Sequence, residues 1–241
     1  VAQAASISGT QHISAGGIAS STIVNNGGAI YVSSGGSSYY TQIKSGGNEY
    51  ILSGGYGPSA TISSGGTQTI SFGGIDSGST IQAGGTQIVG GVAQAASISG
   101  TQHVSSGGSG VNGLVANSGT VNAASGSFLS GYIINGSGAT ILASGSVNAS
   151  SAGGAAITVS GTSNAVTLNG AGASLGSDVR VAGASNALTL RNGVSVASGV
   201  SLIDSSNANT LKFNNQSLTI ASTSTAGATT VSGWNQFNVT N

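Results

Sequence analysis

Little in this sequence can do chemistry. Four carboxylates, two histidines and four cationic side chains are spread over 241 residues. The acids are Glu49, Asp76, Asp178 and Asp204. Glycoside hydrolysis needs two carboxyl groups about 5–10 Å apart, one protonating the leaving oxygen and one acting as base or nucleophile. The interval from Glu49 to Asp76 is not a multiple of any period in the chain, and neither is that from Asp178 to Asp204. Neither pair is therefore expected to meet. His12 and His103 hold equivalent places in two duplicated segments, too far separated to share a metal, and read as surface side chains. Serine is abundant, but a nucleophilic triad also needs a histidine beside an acid. Gly73-Gly74-Ile75-Asp76 has the outline of a calcium-binding β-roll turn, yet such turns carry an aspartate in every repeat. The glycine pairs lack the lysine of a phosphate loop. With no cysteine, disulfides and thiolate metal ligands are excluded. The expectation is a protein that is not an enzyme and needs no metal or cofactor.

Composition narrows the class further. Charged residues make up 3% of the chain and the net charge is zero, against about 25% charged residues in an average protein. A nucleic-acid partner is excluded, because phosphate neutralisation requires a basic surface. No apolar run approaches the roughly 20 residues of a membrane helix. Threonines such as Thr67, Thr69, Thr80 and Thr86 are too irregular for an ice-binding array. Gly and Ser in this quantity suit a flexible linker, but a hydrophobic fraction of 38%, rich in Val and Ile, suits strands instead.

The elements that position these residues come from a repeat. Glycine pairs begin at Gly16, Gly27, Gly35, Gly46, Gly54, Gly65, Gly73 and Gly84, with gaps alternating between 11 and 8, which makes a 19-residue unit with two turns. After a shorter unit, Ser99, Ser118 and Ser137 restart the spacing. Val1–Ser14 and Val92–Ser105 differ only at Ile13 and Val104, and the abrupt start at Val1 reads as a cut inside a longer chain. The sixth position of the units is Ile13, Val32, Ile51, Ile70, Val89, Val104, Ala123 and Leu142. A second column is Val24, Ile43, Ile62, Ile81, Ile98, Val115 and Ile134. Units this short cannot bury their own apolar face, but stacked at about 4.8 Å they turn each column into a buried ladder. The fold class predicted is all-β, a right-handed parallel β-helix of about 19-residue coils.

This register makes finer predictions. His12, Tyr31 and Tyr50 hold the fifth position and should form an outward ladder. The fourth position holds Gln11, Glu49, Gln68, Gln87 and Gln102; alternation puts it inward, which is awkward for polar groups, so a corner is expected. Lys44 should face solvent. Pro58 should lie between ladders, where a missing donor is tolerated. Residues 1–150 keep the regular period. In residues 151–241, SNAVTL (Ser163–Leu168), SNALTL (Ser185–Leu190) and SNANTL (Ser206–Leu211) recur at intervals of 22 and 21, implying longer coils of the same helix. On that spacing Arg191 would stack on Lys212, and Trp234 with Phe237 would close the end of the core.

The units ISSGGTQTISFGG (Ile62–Gly74) and IQAGGTQIVGG (Ile81–Gly91), with the 19-residue period, resemble the passenger region of self-associating AIDA-type autotransporters of Gram-negative bacteria. Within that group the likeness leans to the TibA-type glycosylated adhesin/invasins. The SNA-containing coils and GWNQFNVTN (Gly233–Asn241) resemble later parts of such passengers. The resemblance implies a cell-surface adhesin that mediates autoaggregation, adherence and biofilm formation, at the bacterial outer-membrane surface or outside the cell. It implies export through a C-terminal translocator barrel beyond these residues. The partners implied are like molecules on neighbouring cells, host surfaces, and a glycosyltransferase that heptosylates serine before export. The acceptors it implies are the turn serines before Gly-Gly: Ser34, Ser45, Ser53, Ser64 and Ser106. Ala15, Asn26, Phe72 and Ala83 interrupt that pattern, and serine is also simply a good turn residue. The alternative reading is a β-helix that binds or processes polysaccharide.

Overall fold

The computed structural model describes residues 2–214, 220–221, 229–232 and 236–240. Among them all regular structure is β-strand. The chain forms two compact units, Val1–Gly113 and Leu114–Asn241, and each is a parallel β-helix with three strands to a coil.

In the first unit the long face is built from Thr10–Ile13, Ala29–Val32, Asn48–Ile51, Thr67–Ile70, Thr86–Val89 and Thr101–Val104, paired parallel and in register. The short face consists of two-residue strands that stack Ile7, Val24, Ile43, Ile62, Ile81 and Ile98. A third face includes Ile18–Ser20, Ser37–Tyr39, Ile75–Ser77, Val92–Gln94 and Ser109–Val111, bridged through Tyr56. The predicted columns are the core: Ile13, Val32, Ile51, Ile70, Val89 and Val104 on the long face and Val24 to Ile98 on the short face are all buried. Burying each such side chain stabilises by roughly 1.5–3 kcal/mol before chain entropy is counted. Facing them, the inward column of the third face is narrow: Ala19, Ser38, Gly57, Asp76, Ala93 and Gly110.

Two of the three corners carry the glycine pairs, and the two glycines do different work. Gly54 has φ +72°, where a side chain would be strained, whereas a Cβ on Gly55 would lie 2.3 Å from the Val32 carbonyl oxygen of the preceding coil. The third corner has no such mark. It takes left-handed backbone at Ala4, Ser21, Tyr40, Ser59, Gly78, Ala95 and Asn112. Pro58 lies beside it in a turn, as its missing donor requires.

In the second unit the long face runs Thr120–Ala123, Thr140–Ala143, Ala165–Asn169, Ala187–Arg191, Thr210–Asn214 and Gln236–Thr240. Three expectations change here. Ala143, not Leu142, stacks on Ala123, because one extra residue enters the turn between Ile134 and Thr140; Leu142 pairs with Asn122 on the outer side. SNANTL sits two residues out of phase with its predecessors: Asn209, not Asn207, follows Asn186, and the step from Ala187 to Thr210 is 23 residues. Arg191 therefore pairs with Asn214, and Lys212 with Thr189, so the two cations do not stack. The expected cap lies outside the described residues: Trp234 is not among them, and Phe237 is described only as strand backbone.

Candidate functional site

The first feature is on the surface. Ser34 and Ser53 lie on one glycine corner, between Ala15 and Phe72 of the flanking coils, and Ser106 lies further along that corner. Ser45 and Ser64 lie on the other, between Asn26 and Ala83. All five serines are exposed. Ser34, Ser45, Ser53 and Ser64 each pack against a glycine of the next coil: a Cβ on Gly54 would come 2.8 Å from Ser34 Oγ, and one on Gly73 2.6 Å from Ser53 Oγ. The missing side chains leave these hydroxyls uncovered. Phe72 is 82% exposed in the same corner column.

The outward ladder is present. His12 stacks on Tyr31 (centroids 5.1 Å apart) and Tyr31 on Tyr50 (4.7 Å). His103 and Lys44 are exposed.

The second feature is internal and corrects the sequence reading twice. The fourth position is not a corner; it is mid-strand, and Glu49, Gln68, Gln87 and Gln102 are wholly buried. Glu49 and Asp76, which the spacing kept apart, both bind one amide. Gln68 Nε2 donates to Glu49 Oε2 (2.9 Å) and to Asp76 Oδ1 (3.1 Å). Gln87 Nε2 donates to Gln68 Oε1 (2.7 Å) and Asp76 Oδ2 (3.0 Å), and Gln102 Nε2 to Gln87 Oε1 (2.7 Å). Ser38 Oγ donates to Glu49 Oε1 (2.8 Å) and Ser79 Oγ to Asp76 Oδ1 (2.6 Å). The carboxylates meet because they come from different faces of the coil: Glu49 from the long face, Asp76 from the narrow third face one coil on. Burial pushes both carboxyls up, Asp76 to about 7, with the Ser79 hydrogen bond opposing and the Glu49 charge adding. Buried this fully, they cannot reach a substrate. Ser38 and Ser79 were not singled out from the sequence. For Ser38 strand alternation is the available signal and points inward; Ser79 lies between strands, where no such signal exists.

The second unit has its own polar ladder, built from the SNA asparagines Asn164 and Asn186 and then from Asn209. Asn164 Oδ1 accepts from Ala139 N, Asn186 Oδ1 from Asn164 N and Nδ2, and Asn209 Oδ1 from Asn186 N. Asn209 N and Nδ2 then donate to Asp204, as do Ser206 N and Oγ. Burial opposes ionisation of Asp204, but these donors outweigh it and hold its carboxyl below the usual value. Asp178 is elsewhere, paired with Arg180 (3.6 Å) and accepting from Ser201 N (2.8 Å) at a hollow of about 190 Å³ that Gly153, Gly154, Gly176 and Gly199 also line. No group of three metal-ligating side chains gathers among the described residues.

No family model and no curated protein matches this sequence. Among solved structures, the crystal structure of a TibC-catalyzed hyper-glycosylated TibA fragment superposes with a TM-score of 0.61 at 24% identity, over 98% of this chain and 90% of that one. The two chains share a fold. That likeness agrees with the β-helix expected from the repeats. No helix among the described residues is long and apolar enough to cross a membrane.

Proposed function

We propose that this chain is passenger β-helix from a bacterial cell-surface adhesin, acting by contact and not by catalysis, and that a glycosyltransferase modifies its corner serines. The observation that carries this reading is the pair of exposed serine columns at glycine corners, on a fold shared with a hyper-glycosylated fragment. Heptose on Ser34, Ser45, Ser53, Ser64 and Ser106 would project from two edges of the first unit, leaving its ladders intact. Self-association with like molecules on neighbouring cells, autoaggregation and biofilm formation follow from the same reading: a chain with 3% charged residues offers little repulsion. The test is the intact mass of the chain from its native host, set against the unmodified 22.7 kDa. Regular sugar-sized increments, reduced when the five serines are changed to alanine, support the reading. An unmodified mass removes the glycan part of it.

A second reading, polysaccharide binding, is favoured by the hollow at Asp178, where carboxylate and guanidinium lie beside a glycine-lined floor. Oligosaccharide binding that is lost in Asp178→Ala would support it; unchanged binding would dismiss it.

A further inference from the structure

Glu49 is the only glutamate in the chain. Its carboxyl lies wholly inside the first unit, and among the described residues no ion pair reaches it or Asp76. The groups facing the two acids are Ser38, Thr41, Gln68, Ser79 and Gln87. The ionisable side chains on the neighbouring segments, Tyr39, Lys44 and Tyr50, hold outward positions. Two negative charges meeting on one amide, with no cation to offset them, is a costly arrangement in a dry interior.

The hydrogen bonds decide which acid is neutral. Asp76 accepts from three donors, Gln68 Nε2, Ser79 Oγ and Gln87 Nε2. Both protons of each amide are committed, so a proton on Asp76 would have only the Ser79 hydroxyl to go to, and that oxygen already accepts from Ala60 N (3.2 Å). Glu49 accepts from two, Ser38 Oγ and Gln68 Nε2. Beside it lies the buried Thr41 hydroxyl, close enough to act on the carboxyl but not in hydrogen-bonding geometry with it or with any other group. A proton on Glu49 removes one of the two charges and can be donated to Thr41 Oγ1, whose lone pairs accept it.

We propose that Glu49 is a proton-binding site in the core: the folded chain holds it as a neutral carboxylic acid donating to Thr41, while Asp76 carries the charge of the amide ladder. The raised affinity that burial gives the Glu49 carboxyl supports this. A neutral Glu49 also removes the charge that helps push Asp76 up. Folding then takes up one proton at neutral pH, since an unfolded glutamate is ionised above about pH 4.3.

Being the only glutamate, Glu49 can be followed directly. With ¹³Cδ-glutamate incorporated, the folded chain should give one carboxyl resonance at the protonated position at pH 7, moving to the ionised position on unfolding. A carboxylate resonance in the folded chain at pH 7 overturns the proposal. Independently, opening of Asn48–Ile51 measured by amide exchange should become about tenfold easier per pH unit above about 4.3 in the wild type, beyond the slope in Glu49→Gln, which has no such proton to lose. Equal slopes overturn it. If Glu49→Gln does not fold, the resonance decides alone.

Discussion

At the scale of single residues, the core is held by polar groups that are acceptable only because they are saturated. Gln87 is the hinge of the ladder: its amide donates to Gln68 and Asp76, and its carbonyl accepts from Gln102. Gln87→Leu keeps the volume but takes one hydrogen bond each from Gln68, Asp76 and Gln102, and a buried group left short of a partner costs about 1–3 kcal/mol. The expected loss in urea unfolding is about 3–5 kcal/mol, far above that of an exposed side chain such as Gln82 changed to alanine. Gln11 shows the converse. Ile30 separates it from Glu49 in the column, and its buried Oε1 has no partner. These contacts were half legible. The fourth position recurs in the sequence, and alternation points it inward. Its partners Ser38, Ser79 and Asp76 come from another face, and the offset between faces is a property of the coil, not of the spacing.

At the scale of elements, each coil turns at three corners, and they differ in how openly the sequence announces them. The two glycine corners are marked because backbone approach forbids a side chain. Gly55→Ala would drive a methyl into the Val32 carbonyl and is expected to destabilise by more than about 2 kcal/mol in urea unfolding. The third corner uses left-handed backbone at residues such as Ala95 (φ 52°). A side chain there costs roughly 1–2 kcal/mol, partly offset by the greater chain entropy of glycine. Ala95→Gly should therefore stabilise by about 0.5–1 kcal/mol, measured as a raised urea midpoint. This corner was invisible in the sequence because residues of many kinds occupy it. The two-residue slip at Asn209 was hidden similarly: SNANTL offers two asparagines, and only the pairing with Asn186 selects the second.

At the scale of the whole molecule, the two units carry buried acids of opposite character. Burial raises the carboxyls of the Glu49 and Asp76 pair, so the pair's contribution is fully present below about pH 4 and is lost as pH rises above it. Asp204 is lowered, so its contribution is present above the ordinary aspartate range and is lost as pH falls through it. Amide exchange from pH 7 to pH 4 should therefore show protection rising around Asp76 and falling around Asn209; parallel changes in both would contradict these assignments. The sequence by itself determined the fold class, the core columns and the glycine corners. Each is written as a period, and stacking identical coils converts period directly into contact. Tertiary structure decided the meeting of Glu49 with Asp76, the third corner, and the registers of Leu142, Asn209 and Arg191. Contacts between faces depend on how far the chain travels around each turn, and one or two residues in a loop change that distance without disturbing the pattern on either side.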